Sequence, residues 1–191
     1  METTNQNLRQ RLKVETAEAH QRLDEVMSSR GPFDSNDNYA WYLTGMGALH
    51  LHCQPSILWV ESQIGLTPRK PSLCDLIASD LATLGSRFVP SKPANLADST
   101  NSQNERSIAS RWAQTYVMEG SAVGASFMIR TAKEKLPEGI GVAFLTELAN
   151  DAKTRWPKVT EALAKSDVAA EAAVAAANDV FKIAHEIFSR P

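Results

Sequence analysis

Apolar residues recur along most of the chain at spacings of three and four, the period of a helix with one buried face. Between Leu8 and Met27 the series is Leu8, Leu12, Ala19, Leu23, Val26 and Met27. It predicts one amphipathic helix, ended by Gly31 and Pro32. A second helix is predicted with Asn36 or Asp37 as its cap, running through Tyr39, Tyr42, Leu43, Met46 and Leu49 with Trp41 beside that face. Pro55 has no N–H for the helical ladder, so it is expected to kink or interrupt this helix, which resumes to about Gln63 before Gly65 and Pro68. Ser72 followed by Asp75 makes a capping box with Asp in place of Glu and opens a third helix to about Gly85.

The C-terminal half continues the pattern. A long helix is predicted from about Glu105 to Lys135, another from Val142 to Thr154, and a short one from Trp156 and Pro157 to Lys165. An alanine-rich helix follows from about Val168 to Phe188. No strand pattern or internal repeat interrupts the series. Pro90 to Gln103, rich in Pro, Asn, Ser and Asp, reads as a surface loop, and residues 1–7 as disordered. The pieces on either side of the loop are too incomplete to fold alone, so one all-α domain over residues 1–191 is expected.

Composition narrows the class. A chain of 191 residues buries about 70% of its unfolded surface without a staple. Its net charge of −2 and scattered Lys and Arg give no basic face for nucleic acid. Cys53 and Cys74 lack a CxxC spacing and read as free thiols of a reducing compartment. The polar N-terminus lacks the apolar core of a secretory signal, and no segment has the apolar length of a membrane span. The expectation is a soluble, cytoplasmic protein with no membrane association.

Two segments carry candidate chemistry. His20 sits in Leu12-Lys13-x-x-Thr16-x-x-x-His20-x-x-Leu23-Asp24. On a helical wheel His20, Thr16, Lys13 and Met27 fall together at the edge of the apolar stripe. An imidazole placed there faces a crevice while its helix stays packed, and neutral imidazole is a good iron ligand. By position alone, an ordinary surface or half-buried histidine is the favoured reading. The second segment is Tyr116-Val117-Met118-Glu119-Gly120-Ser121-Ala122-Val123-Gly124-Ala125-Ser126. Glycine inside a helix costs about 1 kcal/mol against alanine. Gly120 and Gly124, four apart, share a face, and with Ser121 and Ala125 they form a strip almost free of side chains. Such a strip admits something bulky and flat, lets the helix bend, or serves close helix–helix packing.

Other site chemistries find little support. No Glu-x-x-His occurs, which argues against a carboxylate di-iron bundle. His50 and His52 diverge by about 200° on a regular helix and cannot share one metal; they read as structural or exposed, and His185 as facing solvent. No nucleophile elbow, phosphate loop or dinucleotide fingerprint is present.

With these two segments the chain resembles bacterial haem oxygenases, especially the group found with bacteriophytochromes. The His20 segment resembles that family's proximal-histidine motif, and Tyr116 to Ala125 its distal motif, usually YVLEGSxLGG. Weaker matches lie at Tyr39-x-x-Tyr42-Leu43, at Asp80-Leu81-x-x-Leu84-Gly85, and at Trp156 with Leu163. The resemblance implies a helical bundle with haem between the first helix and a glycine-kinked distal helix. It implies His20 as the iron ligand and Gly120, Ser121 and Gly124 on the oxygen side. Lys13, Thr16, Tyr116, Ala125, Phe181 and Lys182 are implied to line the haem, with Lys13, Tyr116 and Lys182 towards the propionates.

The activity implied is opening of haem to biliverdin, carbon monoxide and ferrous iron, using O2. Electrons would come from an external donor such as a ferredoxin, a flavoprotein reductase or an ascorbate-like reductant. A bacteriophytochrome is the implied acceptor of the biliverdin. The chain departs from the motif at Ala125, where the family has a second glycine, so a methyl is expected near the haem face. Ser121 stands where many members have aspartate; it can hold water but not charge. These departures motivate a competing reading as a non-catalytic haem or bilin binder. A thiaminase-like hydrolase of the same fold is a third reading, for which neither cysteine has the needed setting.

Overall fold

The structure is a computed structural model, and it describes residues 7–89 and 105–190. Among them are eight helices and no strand: α1 (Leu8–Glu15), α2 (Ala17–Arg30), α3 (Asn36–Ile64), α4 (Leu73–Thr83), α5 (Glu105–Lys135), α6 (Ala143–Thr154), α7 (Trp156–Ala164) and α8 (Ala170–Phe188). The expected loop from Pro90 to Gln103 and the expected disorder of residues 1–6 lie outside the described residues; Asn7, also expected to be disordered, instead caps α1, its side chain accepting from the Arg9 N–H at 2.8 Å.

Three local expectations are corrected. The first helix is not continuous: Thr16 (φ −109°, ψ 1°) separates α1 from α2. Both the Thr16 hydroxyl (2.7 Å) and its N–H (3.1 Å) donate to the Leu12 carbonyl, so the side chain competes for the ladder's own acceptor. The cap of α3 is Ser35, not Asn36 or Asp37; its side chain accepts from the Asn38 N–H at 3.1 Å. Pro55 does not interrupt α3, which runs unbroken for 29 residues. Cys53, Ser56, Ile57 and Val60 are buried around the proline, and packing on both sides offsets the roughly 3 kcal/mol that an interior proline costs.

The Ser72–Asp75 capping box forms as expected. Gly31 (φ 63°) and Gly65 (φ 67°) terminate α2 and α3 in the left-handed region open to glycine. Two clusters make up the core. The larger joins α3, α4, α5, α6 and α8 around Tyr39, Tyr42, Leu43, Ile77, Phe144, Leu145 and Phe188. The smaller joins α1, α3, α5, α7 and α8 around Leu12, Val60, Trp112, Leu163 and Ala177. Cys53, buried, and Cys74, half-buried, are both free. No helix among the described residues is long and apolar enough to cross a membrane.

Candidate active site

Helix α2 has an apolar stripe but no fully buried residue. Leu23, Val26 and Met27 are only half-buried against the core. The helix packs chiefly on α8, which also receives α5. The amphipathic face of α2 is thus incompletely covered, and its neighbour across α8 is the glycine-bearing helix.

His20 is on this helix, with its side chain 60% exposed. Its Nδ1–H donates to Asp24 Oδ2 at 2.9 Å, one turn further on. A carboxylate on Nδ1 fixes the tautomer and leaves the lone pair on Nε2, the arrangement in which a histidine ligates a metal. The imidazole stands edge-on to Phe181 of α8, with ring centroids 5.6 Å apart. Sequence reasoning quoted Asp24 in the motif without giving it a role; the signal was the four-residue spacing from His20.

On α5, Gly120 and Gly124 take different surroundings. A Cβ on Gly124 would meet nothing within 4 Å, so that backbone borders open space. A Cβ on Gly120 would touch the Trp156 ring at 3.4 Å. Beside the glycines, Val123 (39% exposed) and Phe127 (76% exposed) leave apolar surface uncovered. Neither was singled out from the sequence, although both fall on the same helical face as Gly120 and Gly124. Tyr116 is half-buried against Trp156, with ring centroids 5.3 Å apart, and burial pushes its pKa up.

The remaining expected residues are spread unevenly. Lys13 and Lys182 are exposed, on α1 and α8. Thr16 is buried, its hydroxyl committed to Leu12. Ser121 is half-buried and donates to the Met118 carbonyl at 2.6 Å. Ala125, expected to line the haem, is fully buried. It lies about 100° round the helix from Gly124, so its methyl packs in the core and does not project over the open backbone.

Behind α5 lies a buried ionic cluster that no motif announced. Arg69 Nη2 donates to both carboxylate oxygens of Glu119, at 2.9 and 2.7 Å, and its Nε donates to Asp151 Oδ2 at 2.8 Å. Arg155 pairs with Glu61 through Nη2 and donates through Nη1 to the Thr67 carbonyl at 2.9 Å. Burial raises the pKa of Glu61 against the pull of Arg155 and Arg69. Burial works against the charge of Arg69, but Glu119 and Asp151 outweigh it and raise its pKa. His50 is buried edge-on to Phe144 with its Nε2 unpartnered; burial, with help from Arg69, pushes its pKa down to about 3. His52 is half-buried, and His185, expected to face solvent, is half-buried with Nδ1 3.3 Å from Ser189 Oγ. No group of three or more His, Cys, Asp or Glu among the described residues is placed to hold a metal ion.

The helical architecture is the haem oxygenase fold. It aligns over 97% of this chain and 94% of the chain in the NO- and CO-bound crystal structures of heme oxygenase from Neisseria meningitidis, with a TM-score of 0.59 at 20% identity. No protein-family model matches the sequence. The chain is 32% identical over 159 residues to heme oxygenase PigA of Pseudomonas aeruginosa, covering 81% of this chain and 77% of that protein. It belongs to the haem oxygenase family.

Proposed function

We propose that this protein opens haem to biliverdin, carbon monoxide and ferrous iron, with O2 and electrons from an external donor. The observation that carries this reading is His20: an exposed imidazole whose Nδ1 is held by Asp24, on a helix with incompletely covered apolar residues, next but one to a helix with open backbone at Gly124.

These residues fit haem on their own chemistry. An imidazole with a free Nε2 suits iron, exposed Val123 and Phe127 suit an apolar macrocycle, and the bare Gly124 backbone admits a flat ring that a side chain would exclude. Haem supplies the iron that activates oxygen and is itself the substrate. His20 binds the iron through Nε2, and Asp24 keeps the imidazole in the ligating tautomer and orientation. Gly124 holds the oxygen side open to backbone, and Gly120, one turn before it, brings the helix close to Trp156. The Ser121 hydroxyl positions water there for proton delivery, accepting while it donates to Met118. Phe181 braces the imidazole edge. Lys13, Lys182 and Tyr116 are assigned to the propionates, whose charge needs cations or donors at the rim. Thr16 acts at a distance, by setting the break between α1 and α2.

We further infer a cytoplasmic setting, an electron donor of the ferredoxin, flavoprotein-reductase or ascorbate type, and a bacteriophytochrome as acceptor of the biliverdin. The rival reading as a silent haem or bilin binder leaned on Ala125 and Ser121. The burial of Ala125 supports the enzyme reading over this rival.

The test is hemin titration of the wild type and His20→Ala, followed by aerobic turnover with a reductase or ascorbate. Loss of the Soret band with growth of a red bilin absorbance is expected in the wild type. A Soret band that persists under sustained reduction sinks the enzyme reading. An identical haem spectrum in His20→Ala sinks the assigned ligand.

A further inference from the structure

Helix α5 buries one side and leaves apolar residues uncovered on the other. Ala122, Ala125 and Met118 are buried, Met128 and Ile129 half-buried, and Val123 and Phe127 exposed. A helix with one apolar stripe is turned by burial of that stripe. In α5 that stripe, Met118, Ala122, Ala125 and Ala132, is mostly alanine and buries little side-chain area, while the value of a glycine strip lies entirely in which way it faces.

A second interaction adds to this weak preference. Glu119, immediately before Gly120, is 2% exposed and takes two hydrogen bonds from Arg69. Arg155 Nε lies 3.8 Å from its Oε2. The next residue, Trp156, packs against Gly120 and against Tyr116, one turn earlier. Arg155 and Trp156 form the α6–α7 junction, so two consecutive residues of one junction grip two faces of α5 about 100° apart. Arg155 is anchored in turn by Glu61 and the Thr67 carbonyl, and Arg69 by Asp151. Turning α5 by one residue would strip a buried carboxylate of its guanidinium, an outcome that low-dielectric surroundings penalise heavily.

We propose that Glu119 is a positioning residue: through Arg69 and Arg155 it sets the rotation of α5 and so fixes where the Gly120–Gly124 backbone faces. The inference rests on the haem oxygenase reading for its consequence, which is the carbon of the macrocycle that is attacked. Its structural claim concerns the protein alone.

The variant is Glu119→Gln, which keeps the shape and one acceptor oxygen but removes the charge. Arg69→Lys is the second variant; it keeps the charge and gives up the fork, in case the first folds poorly. Two readouts are made on the full chain. Amide hydrogen exchange in the haem-free protein is expected to rise about tenfold or more at residues 120–127, the scale of a lost charged hydrogen bond, with α3 and α8 unchanged. With hemin bound, His20 ligation is expected to persist while the ratio of biliverdin isomers departs from that of the wild type. An equal rise in exchange over all helices marks Glu119 as merely structural and overturns the proposal. So does unchanged exchange at 120–127. An isomer ratio identical to wild type, with local exchange raised, overturns the specificity claim. Failure of the wild type to turn over hemin defeats the proposed function, while the haem-free exchange still decides the positioning of α5.

Discussion

At the scale of single residues, the site is a matter of what each polar atom is bonded to. Asp24 holds His20 Nδ1, and outer-sphere partners of this kind typically change metal affinity or activity by about 10–100-fold. Asp24→Ala is therefore expected to weaken hemin affinity or turnover by about tenfold or more, measured by titration and single-turnover absorbance. His50 gives a pH prediction. Its folded pKa is depressed to about 3 from the ordinary 6.5, chiefly by burial. The folded protein refuses a proton that the unfolded chain accepts, so this stability is present above pH 6.5 and is lost as pH falls from 6.5 towards 3. The slope is about 1.4 kcal/mol per pH unit. Urea denaturation of His50→Gln between pH 6.5 and 5 is expected to show a flatter pH dependence by that amount; an unchanged slope refutes the assignment. The sequence singled out His20 by its motif but left His50 as either structural or exposed. The contrast between a buried and an exposed imidazole came from which helix faces found neighbours.

At the scale of the element, α5 trades its own stability for an open surface. Gly124 is helical, and a Cβ there meets nothing within 4 Å. Gly124→Ala is expected to stabilise the haem-free protein by about 1 kcal/mol in thermal or urea unfolding. The same methyl projects over the backbone assigned to haem, so hemin affinity or turnover should fall. A variant that gains both stability and turnover would remove Gly124 from the site. The capping box of α4 makes a simpler prediction: Ser72→Ala forfeits the hydroxyl that accepts from Asp75 N–H and should cost about 1 kcal/mol. Both features were legible in the sequence because they are local. The break at Thr16 was not, since it arises from a buried hydroxyl competing for the Leu12 carbonyl, and burial is not a local property.

For the whole molecule, the decisive structure is the charge cluster that joins α3, α5, α6, the residues around Arg69 and the start of α7. Its members, Glu61, Arg69, Glu119, Asp151 and Arg155, are spread over 95 positions of sequence and share no spacing that marks them. Removing one partner leaves buried charge uncompensated. Arg155→Ala is expected to lower the free energy of unfolding by about 3–5 kcal/mol, checked by urea denaturation at neutral pH. A loss below 1 kcal/mol would mean that water or the remaining arginine satisfies Glu61 and Glu119 without it.

The sequence by itself determined most of the helices, the capping box of α4, the glycine ends of α2 and α3 and the two segments that carry the family likeness, because periodicity, capping and glycine placement act within a few residues. Only the tertiary structure decided which side of each helix is covered. It turned Ala125 into the core, left Gly124 bare, exposed Phe127, and bound Glu119 behind the glycine strip. The buried stripe of α5 beside the glycines is mostly alanine and holds the helix's rotation only weakly, which leaves a role for ionic contacts from distant parts of the chain.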